Sequence, residues 1–398
     1  MVVCMLAAWV VSVCLQCALL FFLYREGRAV LLGGTAELPY PSLGPDAPKI
    51  GLIIPVAGRR SGMDTALCSL LEQDYPRYEV IFVTAEADDP AVPQLRTLTE
   101  EFSHARHVAA GRASRCGQKN HNILCGIAAL GKDADIYAFC DSTHTAPRDF
   151  LRALVRPVVA GEAAFSTGYH VVDALEDRPV ALGYQITVIF MRLLQAVSVF
   201  TQPWGGAMSM SRTAFERYRI GELWGTNVVD DCSLAGLLMA RRGYMRLCPA
   251  ALLRTPVTAH PREQWVAWFD RQILFLKFCT PAMWRLTGLG LLLLFVPTLC
   301  SLALLVFWPL FGGVSAWSVL AAAAHLMFLL YFALALRDFS ARRPSAPAWL
   351  CAFALNYWLL GWVYARSIAC RHLHWHDTVY HVGGGGRVIS LDKHIKQV

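Results

Sequence analysis

The sequence is short of charge. Asp, Glu, Lys and Arg make up 16% of its 398 residues, against about a quarter in an ordinary soluble domain, and long stretches at both ends carry almost none. With 56% hydrophobic residues and a mean hydropathy of +0.41, the chain is too apolar for an ordinary soluble protein. Its polar middle reads instead as a globular domain held by membrane segments. Paired metal-site spacing is missing from the thirteen Cys. Cys14 and Cys17 form a C-x-x-C, but it lies in an apolar helix with no His or further Cys nearby, which argues against zinc. The cysteines read as small apolar residues of a reducing compartment. Also missing are a basic region before the first apolar run and a convincing small-residue cleavage site after it. Val2 to Tyr24 is therefore expected as an uncleaved anchor, not a signal peptide.

What is present divides into an anchor (1–25), a catalytic domain (49–285), transmembrane helices (286–368) and a tail (369–398), with a Gly/Pro-rich link over 33–48. Arg25 and Arg28 follow the anchor and put the next domain in the cytoplasm. From Ile50, strands and helices alternate. Strands are expected over 49–55, 78–83 and 135–140, helices over 64–73, 92–102 and 119–130, and a basic loop over 106–115. That order predicts an α/β fold with a parallel, doubly wound sheet whose acids gather at one rim: Glu86, Asp88 and Asp89 after one strand, Asp141 after another. A carboxylate where such a strand stops can hold a metal-bound phosphate, or it can cap the next helix near Pro147. Residues alone leave both open.

Val180 to Gln202 is apolar enough to span, with Arg192 its only basic residue. A crossing here would separate Asp141 from Asp230 and Asp231, so an interfacial helix or plain burial against the sheet is expected instead. Asp230-Asp231 opens a helix that runs to Arg241; two acids there complement a helix dipole or, alternatively, supply a base. Spans are expected over 286–310, 315–336 and 349–368. Parity then puts the tail outside, although Arg366, Arg371, Lys393 and Lys396 are basic. His374, His376 and His381 are dense, yet the segment reads as a surface tail and not a metal site.

Several motifs occur in a telling order: Ser69 to Pro76 with Tyr78 to Phe82, then Glu86 before Asp88-Asp89-Pro90, then Lys119-Asn120-His121-Asn122, then Cys140-Asp141-Ser142. Together they resemble the family-two glycosyltransferases of GT-A fold, and within them the ceramide glucosyltransferase-like branch. The resemblance covers the cytoplasmic domain and, more loosely, the spans and tail. It implies that Pro55 and Glu86 help hold the nucleotide, that Lys119 lies near the diphosphate, and that Asp141 binds a divalent metal, Mg²⁺ or Mn²⁺. Thr143 stands where the second acid of a D-x-D is usual, leaving one carboxylate and water as ligands. Trp204-Gly205-Gly206 resembles the acceptor-side turn, with Asp230 beside it, and Asp231 matches the general base. Gln264 and Trp268 fit the Q/R-x-x-R-W motif, but Ala267 replaces its arginine, so Arg271 and Gln272 are expected to supply cation and amide.

The resemblance implies an inverting hexose transfer, from UDP-glucose to a membrane lipid hydroxyl such as ceramide, in a bacterial inner membrane or Golgi-type endomembrane. No nucleic-acid partner is expected. Two alternatives remain. A processive polysaccharide synthase would use the same nucleotide-sugar site, though the few later spans and the lack of a polar channel lining argue against it. A membrane sensor or transporter with a nucleotide-fold domain predicts intramembrane charges, and these spans carry hardly any.

Overall fold

The computed structural model of the chain describes residues 2–33, 44, 46–257, 261–307, 315–375 and 377–393. The first apolar run is one helix, α1 (Val2–Leu31). Alternating elements follow: β1 (Ile50–Pro55), α2 (Met63–Leu71), β2 (Tyr78–Thr84), α3 (Val92–Glu101), β3 (Ala105–Ala109), α4 (Gln118–Leu130) and β4 (Ile136–Cys140). Strands β1, β2 and β4 are almost wholly buried, which is why they read as unbroken apolar runs. Next come α5 (Phe150–Val159), β5 (Phe165–Ala174), α6 (Pro179–Ala196), β6 (Ala207–Ser211), α7 (Arg212–Arg217), α8 (Ile220–Trp224), α9 (Asp230–Ala240) and β7 (Arg246–Val257).

These strands form one seven-stranded sheet in the order β3-β2-β1-β4-β6-β5-β7. Strand β6 runs antiparallel to β4 and β5, while the other neighbouring pairs are parallel. The sheet is therefore mixed and not wholly parallel. Because Ala207 pairs with Cys140, the Trp204–Gly206 turn that precedes β6 is delivered to the very end of β4, beside Asp141. One face of the sheet packs Ile123, Trp224 and Leu234 on Ile53, Phe139 and Met208. The other packs Leu67, Leu95, Phe150 and Leu154 on Leu52, Ile54 and Phe82. Each such side chain, fully buried, contributes about 1.5–3 kcal/mol.

The expected basic loop over 106–115 is corrected in its first half. Residues 105–109 are β3, an edge strand paired with Val80–Thr84 of β2. Only Ala105 in it is buried, and Arg106 pairs with Glu79 across the strands. An edge strand needs little apolar surface, and its charge blocks further pairing; a hydrophobic pattern therefore does not mark it.

After β7 come α10 (Arg262–Cys279), α11 (Pro281–Phe307), α12 (Ala316–Ala335) and α13 (Ala346–Ala369). Among the described residues, five helices are long and apolar enough to cross a membrane: α1, α6, α11, α12 with its extension to Phe339, and α13. Helix α6 stands apart, with 72% of its most apolar window buried against 22–28% in the other four. Its buried face packs with Tyr169 and Val172 of β5 and Trp349 of α13, which decides for burial against the sheet. Helices α1, α11 and α12 are joined by a closed polar network. Trp9 Nε1 donates to Ser301 Oγ at 3.1 Å, Gln16 Nε2 to Thr298 Oγ1 at 3.2 Å, and His325 bonds both Ser301 and Gln16. Such bonds between apolar helices replace partners that hydrocarbon cannot offer.

Both ends of α13 are tied to the catalytic region. At its start the Ser345 N–H donates to Asp177 at 2.9 Å, beside an Arg342–Asp177 ion pair. At its end Lys277 Nζ donates to the carbonyls of Ser367, Ile368 and Cys370, and Arg366 pairs with Asp270 at 3.2 Å.

The tail is also corrected. Far from being a surface appendage, it forms a three-stranded antiparallel sheet of β8 (His372–Trp375), β9 (Thr378–Val382) and β10 (Val388–Lys393). Leu373, Tyr380 and Val382 are buried against Val228, Phe275 and Cys279. His376 lies outside the described residues.

Candidate active site

The site is assembled where β4 ends, from three chain segments that approach one another closely. Asp141 follows the last residue of β4. Lys119 stands in the first turn of α4, whose start is pinned to the loop before α9: the Gly117 N–H donates to the Asn227 carbonyl at 2.9 Å, and Asn120 Nδ2 does so at 2.9 Å. A Cβ on Gly117 would lie 1.9 Å from the Val228 oxygen, so only glycine permits this approach. The tail's glycine turn completes the clamp. Asn227 Nδ2 donates to the Gly385 carbonyl at 2.7 Å, and the Val228 N–H to the Gly386 carbonyl at 2.9 Å. Gly386 has φ +82°, in the left-handed region that glycine favours.

This clamp sets the ammonium of Lys119 at the hub. Its Nζ lies 2.9 Å from Asp141 Oδ1, 3.2 Å from Asp230 Oδ2 and 3.1 Å from the Gly205 carbonyl oxygen. Burial alone would push the lysine pKa down, but the Asp141, Asp230 and Asp231 carboxylates outweigh it and hold the ammonium charged. Asp230 is buried completely, and burial pushes its carboxyl up to about 6 despite the opposing pull of Lys119. Asp231 is placed differently. It is half-exposed in the first turn of α9, its Oδ2 accepting from the Gly205 N–H at 3.0 Å and its Oδ1 from the Cys232 N–H at 2.6 Å. Two backbone donors thus fix the direction of a carboxylate on a residue that is only partly buried.

Gly205 is needed for reasons internal to this hub. A Cβ there would meet Asp230 Oδ2 at 2.4 Å and Lys119 Nζ at 2.7 Å, while one on Gly206 would strike the Trp204 ring at 2.3 Å. The Trp204 ring stacks on His170 at 4.7 Å and 8°, with Tyr169 and His144 tilted against it at 4.9 and 5.4 Å. Thr255 Oγ1 bridges the two histidines, 2.7 Å from His144 Nδ1 and 2.8 Å from His170 Nδ1. Burial pushes His144 down to about 4 and His170 well below its ordinary value, so both rings are neutral at pH 7.

The other motif residues surround this hub unevenly. Pro55 ends β1 and pairs with Val83. Glu86 lies just past the end of β2 and is ion-paired with Arg112. Among the described residues Arg271 of α10 makes no hydrogen bond or ion pair, and its pKa is lowered chiefly by burial and then by Arg60, which stands near enough to repel it. Two cations thus face the region between the loop after β1 and α10. Trp268 packs edge-on to Tyr184 of α6 at 4.8 Å. Gln264 is exposed in the first turn of α10, two helical turns before Arg271, and nothing brings it to the hub. Gln272, half-buried, likewise has no polar partner among the described residues.

Lys119 thus binds Asp141 and Asp230, partners that the sequence had not assigned to it. Sequence reasoning also missed His170, Thr255, Tyr184, Arg60 and the tail's glycine turn. Only His144, three residues after Asp141, left a local trace; the rest meet across long separations that no spacing encodes.

A divalent metal suits the remaining charge and donors. Three carboxylates, Asp141, Asp230 and Asp231, face one ammonium, and Asp141 Oδ2 is not used by Lys119. Among the described residues no cluster of three or more His, Cys, Asp or Glu forms a self-sufficient cage. An ion held jointly with substrate phosphates needs only one or two protein ligands.

The model of glycosyl transferase family 21 matches residues 3–388; this family includes ceramide glucosyltransferases. Among solved structures, the mannosyltransferase PcManGT from Pyrobaculum calidifontis, in complex with GDP-Man and Mn²⁺, is 17% identical and superposes with a TM-score of 0.51. The match covers 89% of this chain and 99% of that one. It shows the shared GT-A fold of the sheet. Glucosyl-3-phosphoglycerate synthase from Mycobacterium tuberculosis is 18% identical over 57% of this chain and 78% of its own, with a TM-score of 0.35.

Proposed function

We propose that this chain, which belongs to glycosyl transferase family 21, transfers a hexose from a nucleotide donor, glucose from UDP-glucose, to the hydroxyl of a membrane lipid such as ceramide. The observation that carries this reading is the state of Asp231. It is a carboxylate on a partly buried residue, oriented by two N–H groups, in a hub that also holds Asp141. A sugar-accepting hydroxyl is a poor nucleophile, so a carboxylate within hydrogen-bond reach must take its proton as it attacks. Attack on the face opposite the leaving nucleotide is a single displacement and inverts the anomeric centre.

The remaining residues receive roles in the same reading. Asp141 holds the divalent ion, which when bound neutralises charge on the diphosphate. Pro55 and Glu86 border the nucleotide, while Arg271, Gln272 and Arg60 steady the departing UDP. Lys119 keeps Asp141 and Asp230 in register. Trp204, Gly205, Gly206 and Trp268 shape the acceptor side.

The catalytic domain faces the cytoplasm in this reading, with α1, α11 and α12 crossing the bilayer. Helix α13 then lies along the surface, because both of its ends are tied to catalytic-region residues. This returns the tail to the active-site side and resolves the parity conflict raised by its basic residues.

The deciding experiment incubates purified full-length protein with a panel of UDP- and GDP-sugars and lipid acceptors, with products read by mass spectrometry. A glucosylated lipid formed from UDP-glucose is expected. Transfer from GDP-mannose alone, or to soluble acceptors alone, would overturn the donor or the acceptor assignment respectively.

A further inference from the structure

We propose that His144 Nε2 is the second protein ligand of the divalent ion, taking the place of the acid that Thr143 does not supply. The proposal deepens the nucleotide-sugar reading and rests on it for the phosphate oxygens that complete the ion's shell. His144 is buried, and its Nε2 points at Asp141 Oδ2 across 3.9 Å. That gap is too long for a hydrogen bond, and among the described residues no side chain or backbone group is hydrogen-bonded to this nitrogen. A ring nitrogen and a carboxylate oxygen held at this separation can both reach one small cation.

The distance fits one. Imidazole nitrogen and carboxylate oxygen bind small divalent ions at about 2.0–2.2 Å, so an ion can touch both only if they lie within about 4.0–4.4 Å. Asp141 and His144 meet this condition as they stand. Asp141 Oδ1 stays with Lys119 at 2.9 Å, which leaves Oδ2 for the ion. The two ligands sit at i and i+3, beyond the end of β4.

The ring also has the support that metal-binding histidines need. A ligating imidazole has its other nitrogen held by a hydrogen bond that fixes tautomer and orientation. Here Nδ1 is bound to Thr255 Oγ1 at 2.7 Å, and that hydroxyl is bound in turn to His170 Nδ1 at 2.8 Å. The hydroxyl has one proton to give. When it donates to His170, it accepts from the Nδ1–H of His144, and His144 then presents the Nε2 lone pair to the ion. His170 is itself fixed by stacking on Trp204. Thr255 and His170 are therefore positioning residues, acting through His144.

The test uses full-length protein in detergent with Mn²⁺ and UDP as probes. Mn²⁺ binding is followed by loss of the free-ion electron paramagnetic resonance signal, and its ligands by electron spin-echo envelope modulation. UDP binding is measured separately by calorimetry. Wild type should bind Mn²⁺ in the presence of UDP with nitrogen modulation typical of imidazole. His144→Gln should lose that modulation and weaken Mn²⁺ about 10- to 100-fold, whereas Thr255→Val should weaken it with the modulation retained. Bound Mn²⁺ without nitrogen modulation in wild type, or modulation that survives His144→Gln, would overturn the assignment, and the wild-type spectrum decides even if a variant misfolds. UDP binding that excludes Mn²⁺ would overturn this proposal alone. Absence of UDP binding, with and without Mn²⁺, would overturn the nucleotide-sugar reading as well.

Discussion

Replacing Lys119 with Met keeps most of the side chain's length and removes its charge. In the folded protein the ammonium sits 3.2 Å from Asp230, and among the described residues the completely buried Asp230 carboxylate has no other partner. The variant would leave that carboxylate uncompensated, which typically costs about 3–5 kcal/mol. The second change removes the cause: Lys119→Met with Asp230→Asn deletes both charges, and a large part of the lost stability should return. The pH dependence has a definite sign. Asp230 has a folded pKa of about 6, above its ordinary 3.8, so folding takes up a proton between those values. Its contribution to stability is present at low pH and is lost as pH rises through about 6. Without Lys119 the folded value moves higher still, and the window widens upward. The assay is thermal unfolding of the detergent-solubilised proteins at pH 5 and pH 8. Lys119→Met should lose more at pH 8 than at pH 5, and the double variant should be the more stable of the two at pH 8. A double variant no more stable than Lys119→Met at pH 8 would refute the assignment of Lys119 as compensating charge for Asp230.

Asp231→Asn should lower turnover by about 10²- to 10⁴-fold while calorimetric UDP affinity stays within a few-fold, because the amide keeps the shape but accepts no proton. Gly205→Ala should destabilise by about 1–3 kcal/mol, since its Cβ would press on Asp230 and Lys119; Gly290→Ala, which meets nothing within 4 Å, should leave the melting temperature unchanged. For topology, after the native Cys are replaced, single cysteines at residues 345 and 371 flanking α13 should both react with an impermeant thiol reagent from the face that carries the catalytic domain. Labelling from opposite faces would mean that α13 spans.

Much of this was legible in the sequence because of how the sheet is buried. Strands covered on both faces must be apolar throughout, so β1, β2 and β4 announce themselves, and the acids that follow β2 and β4 mark the rim. Elements buried on one face or at an edge leave weaker signals. Strand β3 carries Arg106 and His107 beside a single fully buried residue. Strand β7 holds Pro249, Pro256 and Arg254 and slips register against β5. The tail strands are short and interrupted by glycines, and what orders them is contact with Val228, Phe275 and Cys279 far away in sequence. For the same reason Lys119 could be singled out but not assigned its partners, since Asp230 is 111 positions further along the chain.

Helix α6 shows where composition stops being informative. An apolar helix of 18 residues suits a bilayer surface and a protein interior equally, and only its neighbours decide. Those neighbours also bear on the acceptor. Tyr184 of α6 meets Trp268 of α10 edge-on, and Trp268 and Leu359 of α13 pack on one cluster of Phe269, Ile273 and Val363. Beyond it α13 exposes Trp358 and Trp362 at 54% and 50%, beside an apolar cleft of about 890 Å³ shared with α11. Apolar contact therefore continues from α6, behind the aromatic wall of the site, to a surface that water would penalise and lipid would cover. The lipid acceptor proposed above would use such a path, which a soluble acceptor would not need. A lipid keeps its reactive hydroxyl at headgroup level and its chains below, and that division matches the two ends of this path.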